Sequence, residues 1–237
     1  MDITLLPNMR QSNDGDFPNW SKIQNLIPSS IPNVDLLDYA QNHESTKSKV
    51  TFADYHYYIL DQLYKPHVTD RESDTVDSVL AEFHSIVIDL YSALDSLSYE
   101  INLAYNFGLR SNQIHVYHNH NPPKPDCFRC NLDKQSDALT SFINTKLNNQ
   151  WFQTFNKLRN QITHKSLPVI HVDISVGSST TKLKIPDDPT NTNPQYGDYS
   201  QDLEINQFCK DLRRNTVELI EQVYSLIEPK IRIRYNL

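Results

Sequence analysis

The sequence predicts a mainly α-helical protein, an antiparallel helical bundle built on one long central helix with a small β-hairpin inserted. Three observations predict it. Only 4 glycines occur in 237 residues, too few for a fold made of many tight β-turns. Apolar side chains recur at intervals of three and four through much of the chain, the spacing that lines one face of a helix. Strict alternation of apolar and polar residues, the pattern of a half-buried strand, is confined to a stretch near residues 169–185 and to the C-terminal tail.

Residues 1–50 carry Pro7, Pro18, Pro28 and Pro32 among scattered apolar positions with no sustained period. This predicts an extended arm with short helical turns, docked through Phe17, Trp20, Ile23 and Ile27. Residues 51–237 are expected to form the bundle. Over 51–65, Phe52, Tyr55, Ile59 and Leu63 fall at helical spacing, and Pro66 ends that helix. Thr69 to Glu72 reads T-x-x-E, a capping box that satisfies free N–H groups at a helix start. Behind it Val76, Leu80, Phe83, Val87, Leu90, Leu94, Leu97, Ile101 and Ala104 form one stripe, with Gly108 as its C-terminal stop. A helix of about 35 residues spans roughly 50 Å. Such a rod cannot bury its stripe alone and is expected to be the spine of a bundle.

A polar loop containing Pro122, Pro123 and Pro125 is expected at 111–135. Ser136 opens a helical pattern of Leu139, Ile143, Leu147, Trp151, Phe155, Leu158 and Ile162. Asn148-Asn149-Gln150 breaks or bends it, because asparagine is a mediocre helix former. Ile170, Val172, Ile174 and Val176 then alternate with polar residues, Gly177-Ser178-Ser179 turns the chain, and Leu183 and Ile185 alternate again. That is a hairpin. After a loop rich in proline and asparagine at 186–197, a last helix runs from Ser200 to Ile227. Its stripe is Ile205, Phe208, Leu212, Leu219, Val223 and Ile227, with Cys209 close to it as a core residue. Pro229 closes this helix, and Lys230-Ile231-Arg232-Ile233-Arg234 alternates like a strand that could pair with the hairpin.

The formal net charge of −7 argues against a long basic groove covering many phosphates. No stretch approaches the roughly 18 apolar residues of a membrane span, and Met1-Asp2-Ile3-Thr4 lacks the features of a signal peptide. Three cysteines do not suggest a secreted disulfide framework. The expected location is the cytoplasm. No P-loop, G-x-S-x-G or H-E-x-x-H motif occurs.

The segment with chemistry in it runs from Trp151 to His164 and contains Arg159-Asn160-x-x-x-His164 at the end of an amphipathic helix. At about 100° per residue, Trp151, Phe155, Leu158 and Ile162 cluster on one side. Asn160 and His164, four apart, point roughly opposite that stripe, and Arg159 lies on the flank. Arg159-Asn160-x-x-x-His164 is expected by chance roughly 0.03 times in a chain of this composition.

The segment resembles the HEPN superfamily, whose ribonucleases carry arginine, a polar residue, a short spacer and histidine on the third main helix. The preceding helix, from Ala93 through Glu100 to Asn102, is similar too, and the resemblance covers roughly residues 70–228. It implies metal-independent cleavage of RNA at a site formed where two copies of the chain meet. In that role His164 moves the proton of the attacking 2′-hydroxyl. Arg159 clamps the phosphate oxygens, and Asn160 orients His164 or the phosphate. Glu100 and Asp95 are candidate auxiliary groups, or else ordinary surface carboxylates. One branch of the family has a tyrosine two residues after the histidine; here that residue is Ser166, so no role of that tyrosine carries over.

RNA, a second copy of the chain and an antitoxin or regulatory protein are therefore the expected partners, in a toxin-like or phage-defence setting. The competing reading is a non-catalytic dimeric module of the same type that binds a nucleotide, RNA or a protein. In the blandest case Arg159 and His164 are merely solvated, His164 being favourable near a helix C-terminus. No cofactor is expected. His115, His118, His120, Cys127 and Cys130 crowd one loop with zinc-like ligand types, so the alternatives there are a structural zinc, held by His118, His120, Cys127 and Cys130, or an unliganded polar loop. Arg213 and Arg214, with Lys230, Arg232 and Arg234, either help to hold RNA or form a solvated surface.

Overall fold

A computed structural model describes residues 17–28, 34–64, 73–114, 124, 127–164, 171–174, 181–189, 191, 193–201 and 203–237. Seven α-helices lie within them: α1 (Pro18–Gln24), α2 (Val34–Tyr64), α3 (Ser73–Tyr105), α4 (Phe128–Gln135), α5 (Ala138–Leu147), α6 (Gln150–His164) and α7 (Ile205–Tyr235). Strands β1 (His171–Ile174) and β2 (Thr181–Lys184) pair antiparallel, His171 opposite Lys184 and Ile174 opposite Thr181. The fold is the mainly α bundle with a β-hairpin that the sequence predicts. None of the described helices is long and apolar enough to cross a membrane.

The chain divides into two compact units. The first comprises Met1–Thr51, Ser92–Leu147 and Thr216–Leu237, and the second Phe52–Tyr91 and Asn148–Asn215. The helices α2, α3 and α7 each contribute residues to both.

The expected spine is α3, with 33 residues. From Phe83 through Val87, Leu90, Leu94 and Leu97 to Ile101 its stripe is buried, and Val76 and Leu80 near its start are half-buried. Asn106 (φ 55°) and Gly108 (φ 68°) turn the chain out of it through the left-handed region. The proposed capping box at Thr69–Glu72 lies outside the described residues, as does Pro66.

Phe17, Trp20 and Ile23 are buried as expected, the first just before the short α1 and the other two on it. Residues 34–50 are not an extended arm, however. They form the first half of α2, and Leu36, Tyr39, His43, Thr46 and Val50 are all fully buried at helical spacing. Two of the five are polar, so the stripe does not read as apolar in the sequence. That register continues through Ala53 and Leu60, leaving Phe52 53% exposed, where the apolar spacing had placed it inside.

Two further expectations fail. The supposed loop at 111–135 contains α4, whose Phe128, Arg129, Cys130 and Leu132 are buried. Cys127 starts it, its sulfur accepting the Cys130 backbone N–H at 3.4 Å. Pro229 does not close α7, which continues to Tyr235. A proline removes one helical N–H and crowds the preceding turn, yet contacts beyond it hold the last turns in helix. Ile231 is fully buried, Arg232 Nε donates to Glu228 at 2.9 Å, and Arg234 Nη2 donates to Asn106 at 2.8 Å. The tail is therefore no strand.

The break at Asn148-Asn149 is real: α5 ends at Leu147 and α6 starts at Gln150. Asp137 caps α5, its carboxylate accepting the Thr140 backbone N–H at 3.0 Å and the Tyr105 hydroxyl at 2.6 Å.

Candidate functional site

Helix α6 carries the motif and belongs to the second unit. Its buried face is Phe152, Phe155, Asn156, Leu158 and Gln161. Trp151 and Ile162, expected at the centre of that face, are only half-buried. The face is rotated because a polar residue belongs to it: Asn156 accepts a buried hydrogen bond from the Tyr91 hydroxyl at 3.0 Å.

The rotation brings Arg159 inward from the flank. Its guanidinium lies over the Tyr91 ring, 4.7 Å from the centroid, and Nη1 donates to Asn160 Oδ1 at 3.0 Å. Both residues are half-buried. Among the described residues the guanidinium makes no other hydrogen bond or ion pair. His164 is exposed as the last residue of the helix and has no partner among the described residues. Arg159 and His164 are five positions apart, which on an ideal helix is about 140° of rotation and about 7.5 Å of rise. Arginine and asparagine are brought together; the imidazole is presented elsewhere on the helix. Ser166 lies outside the described residues.

Glu100 is not a surface carboxylate. It is fully buried in the first unit. Oε1 accepts from the Thr46 hydroxyl at 2.7 Å and from the Tyr224 hydroxyl at 2.9 Å, while Oε2 meets His43 Nδ1 at 2.8 Å. His43 Nε2 lies 3.1 Å from the Trp20 carbonyl. A carbonyl only accepts, so Nε2 carries a hydrogen. The Trp20 indole stacks on the His43 ring at 4.8 Å, and its N–H donates to the His43 carbonyl at 2.9 Å. Burial, followed by the Glu100 charge, pushes the Tyr39 and Tyr224 hydroxyls well above the usual phenol range. The cluster is the polar heart of the first unit. Asp95 is half-buried and belongs to the same unit, not to that of Arg159.

Of the residues in the zinc alternative, Cys127 and Cys130 are buried, and His115, His118 and His120 lie outside the described residues. Cys209 is a core residue, as expected, with burial and then Glu204 pushing its thiol up. The basic residues are engaged rather than free. Arg213 forms a two-pronged bridge to Asp54, with Nη2 2.9 Å from Oδ2. Arg214 pairs with Asp211, Arg232 with Glu228 and Arg234 with Asp35, and Lys230 sits over the Tyr105 ring.

Sequence reading missed a cavity of about 430 Å³ in the second unit, walled by α6 and the start of α7. Trp151, Thr154 and Phe208 line it with Gln150, Gln207 and Asn215. The sequence signal is a tryptophan between Gln150 and Phe152 at the start of a helix, where the apolar spacing places it in the core. No protein-family model, curated protein or solved structure matches the chain.

Proposed function

We propose that the protein is a metal-independent endoribonuclease of HEPN type, acting on RNA with Arg159, Asn160 and His164. The observation that carries the reading is the Arg159–Asn160 pair, hydrogen-bonded at 3.0 Å with guanidinium N–H groups to spare, on the helix that ends in an exposed His164. A guanidinium with unused donors suits the non-bridging oxygens of a phosphodiester.

In this mechanism His164 removes the proton of a ribose 2′-hydroxyl as its oxygen attacks phosphorus. The bond to the 5′-oxygen breaks, and that oxygen leaves with the proton that His164 returns. The products are a 2′,3′-cyclic phosphate and a 5′-hydroxyl. Arg159 stabilises the charge that builds on the phosphoryl oxygens. Because Arg159 and His164 diverge around one helix, a two-fold partner is the economical way to bring both kinds of group to one phosphate. The homodimer itself is what the resemblance implies, and this divergence is compatible with it. The indole and side-chain amides at the cavity suit an unpaired base, which RNA-binding proteins commonly stack on aromatic rings. A defence or toxin role in the cytoplasm, restrained by an antitoxin or regulatory protein, belongs to the same proposal.

A second reading has its own support. Arg159 is half-buried with its guanidinium already over the Tyr91 ring, and the chain carries a net charge of −7. Both fit a non-catalytic dimeric module that binds a nucleotide, RNA or a protein. One experiment separates the two. Purified protein is incubated with single-stranded RNA in EDTA, and the product ends are identified. Arg159→Ala and His164→Ala should each lower cleavage by about 10²–10³-fold. Equal cleavage by the wild type and both variants would remove the catalytic assignment, and binding without cleavage would favour the module.

A further inference from the structure

Tyr91 sits on α3, 7% exposed, with its ring face under the Arg159 guanidinium. The ring is held by α6, the helix that carries the arginine. Its hydroxyl donates to Asn156 Oδ1 at 3.0 Å, and Phe155 packs edge-on against it, 5.4 Å between centroids. Asn156 and Phe155 lie one turn before Arg159 and Asn160. The aromatic platform, its two supports and the guanidinium therefore form one local assembly within the second unit.

We propose that Tyr91 is a positioning residue for Arg159, its ring face fixing the guanidinium so that the free N–H edge is presented to a phosphate. The inference rests on the RNA-cleavage reading. A half-exposed arginine has several rotatable bonds and, left alone, samples many rotamers. Attraction to the electron-rich ring face holds the plane of the guanidinium, and the bond to Asn160 sets its rotation within that plane. Two constraints of different kind thus select one orientation and leave the remaining donors unengaged. The orientation is set before substrate arrives, so it need not be acquired in the transition state. Tyrosine, rather than phenylalanine, is explained by the hydroxyl: the bond to Asn156 prevents the ring from tipping away.

The test weakens the ring's charge distribution without changing its shape. Phenylalanine and a series of progressively fluorinated phenylalanines are incorporated at position 91, with Y91F as the reference. Each fluorine withdraws electron density from the ring face. Expected is a stepwise fall in kcat, reaching roughly tenfold in the most fluorinated protein, with KM for single-stranded RNA changed by less than about twofold. Thermal melting should not follow the fluorine count, whereas a purely structural role would leave kcat flat across the series. A flat kcat alongside an inactive Arg159→Ala variant overturns the positioning role and leaves the nuclease reading intact. Undiminished cleavage by Arg159→Ala overturns the nuclease reading itself, and the positioning role with it. Tyr91→Leu, which removes the ring, should lower kcat further; if that variant does not fold, the fluorinated series still decides.

Discussion

A guanidinium serves a phosphate only while some of its N–H groups remain uncommitted and its plane is held. Arg159 makes one bond to Asn160 and lies over the Tyr91 ring. Lysine keeps the charge but has neither the planar fork nor the flat face. On the nuclease proposal, Arg159→Lys is therefore expected to lose at least about tenfold in cleavage rate, measured under single-turnover conditions, despite its unchanged charge. Glu100 illustrates the opposite case, a buried carboxyl whose oxygens meet the Thr46 and Tyr224 hydroxyls and the His43 ring. Removing one partner of a buried polar group leaves the other unsatisfied. His43→Leu should accordingly lower unfolding free energy by about 1–3 kcal/mol in urea denaturation. His84 gives a pH prediction. Burial lowers its folded-state pKa below the ordinary value of 6.5, and its Nε2 is buried without a partner among the described residues. The unfolded chain then takes up the proton more readily, so the contribution of His84 to stability is present above its unfolded pKa and is lost as pH falls towards the folded one. Melting temperature should drop on acidification from pH 8 to below about 6.5, and the drop should be shallower in His84→Leu.

Helix ends carry a different kind of information. Asp137 caps α5 through the Thr140 N–H and also holds the Tyr105 hydroxyl. Asp137→Ala should cost about 1 kcal/mol or more in urea denaturation, from the lost cap alone. Its carboxyl is held below the ordinary carboxylate range: burial alone would raise it, but the Tyr105 and Thr140 bonds outweigh that effect. The break between α5 and α6 was legible because two consecutive asparagines interrupt a regular stripe. The first half of α2 was not, because His43 and Thr46 occupy stripe positions that become favourable only once Glu100 is opposite them. For α4 the cap is a cysteine sulfur, a weak acceptor that sequence rules do not anticipate. Pro229 reads locally as a stop, and only the anchoring of Ile231, Arg232 and Arg234 carries the helix past it.

At the scale of the whole molecule, charge sets the terms of binding. The net charge is −7, and four of the five clustered basic residues are tied into ion pairs with carboxylates. On the nuclease proposal, RNA is expected to be held at one or two phosphates. For a single strand that corresponds to a log–log salt dependence of binding of about −0.7 to −1.4; filter binding of the His164→Ala protein across a potassium chloride series measures it, and a slope steeper than about −3 would demand a basic track. The amino-acid sequence by itself determined the helical class, the long α3, the hairpin and the motif on α6. Each follows from local spacing, which depends only on the 3.6-residue period of a helix and the two-residue period of a strand. Tertiary structure alone decided which polar residues go inside. Asn156 turned the buried face of α6 and carried Arg159 onto Tyr91, and Glu100 became the centre of a buried polar cluster. A buried polar side chain is stable only beside its partner, and these partners lie far away along the chain, where no periodicity can find them.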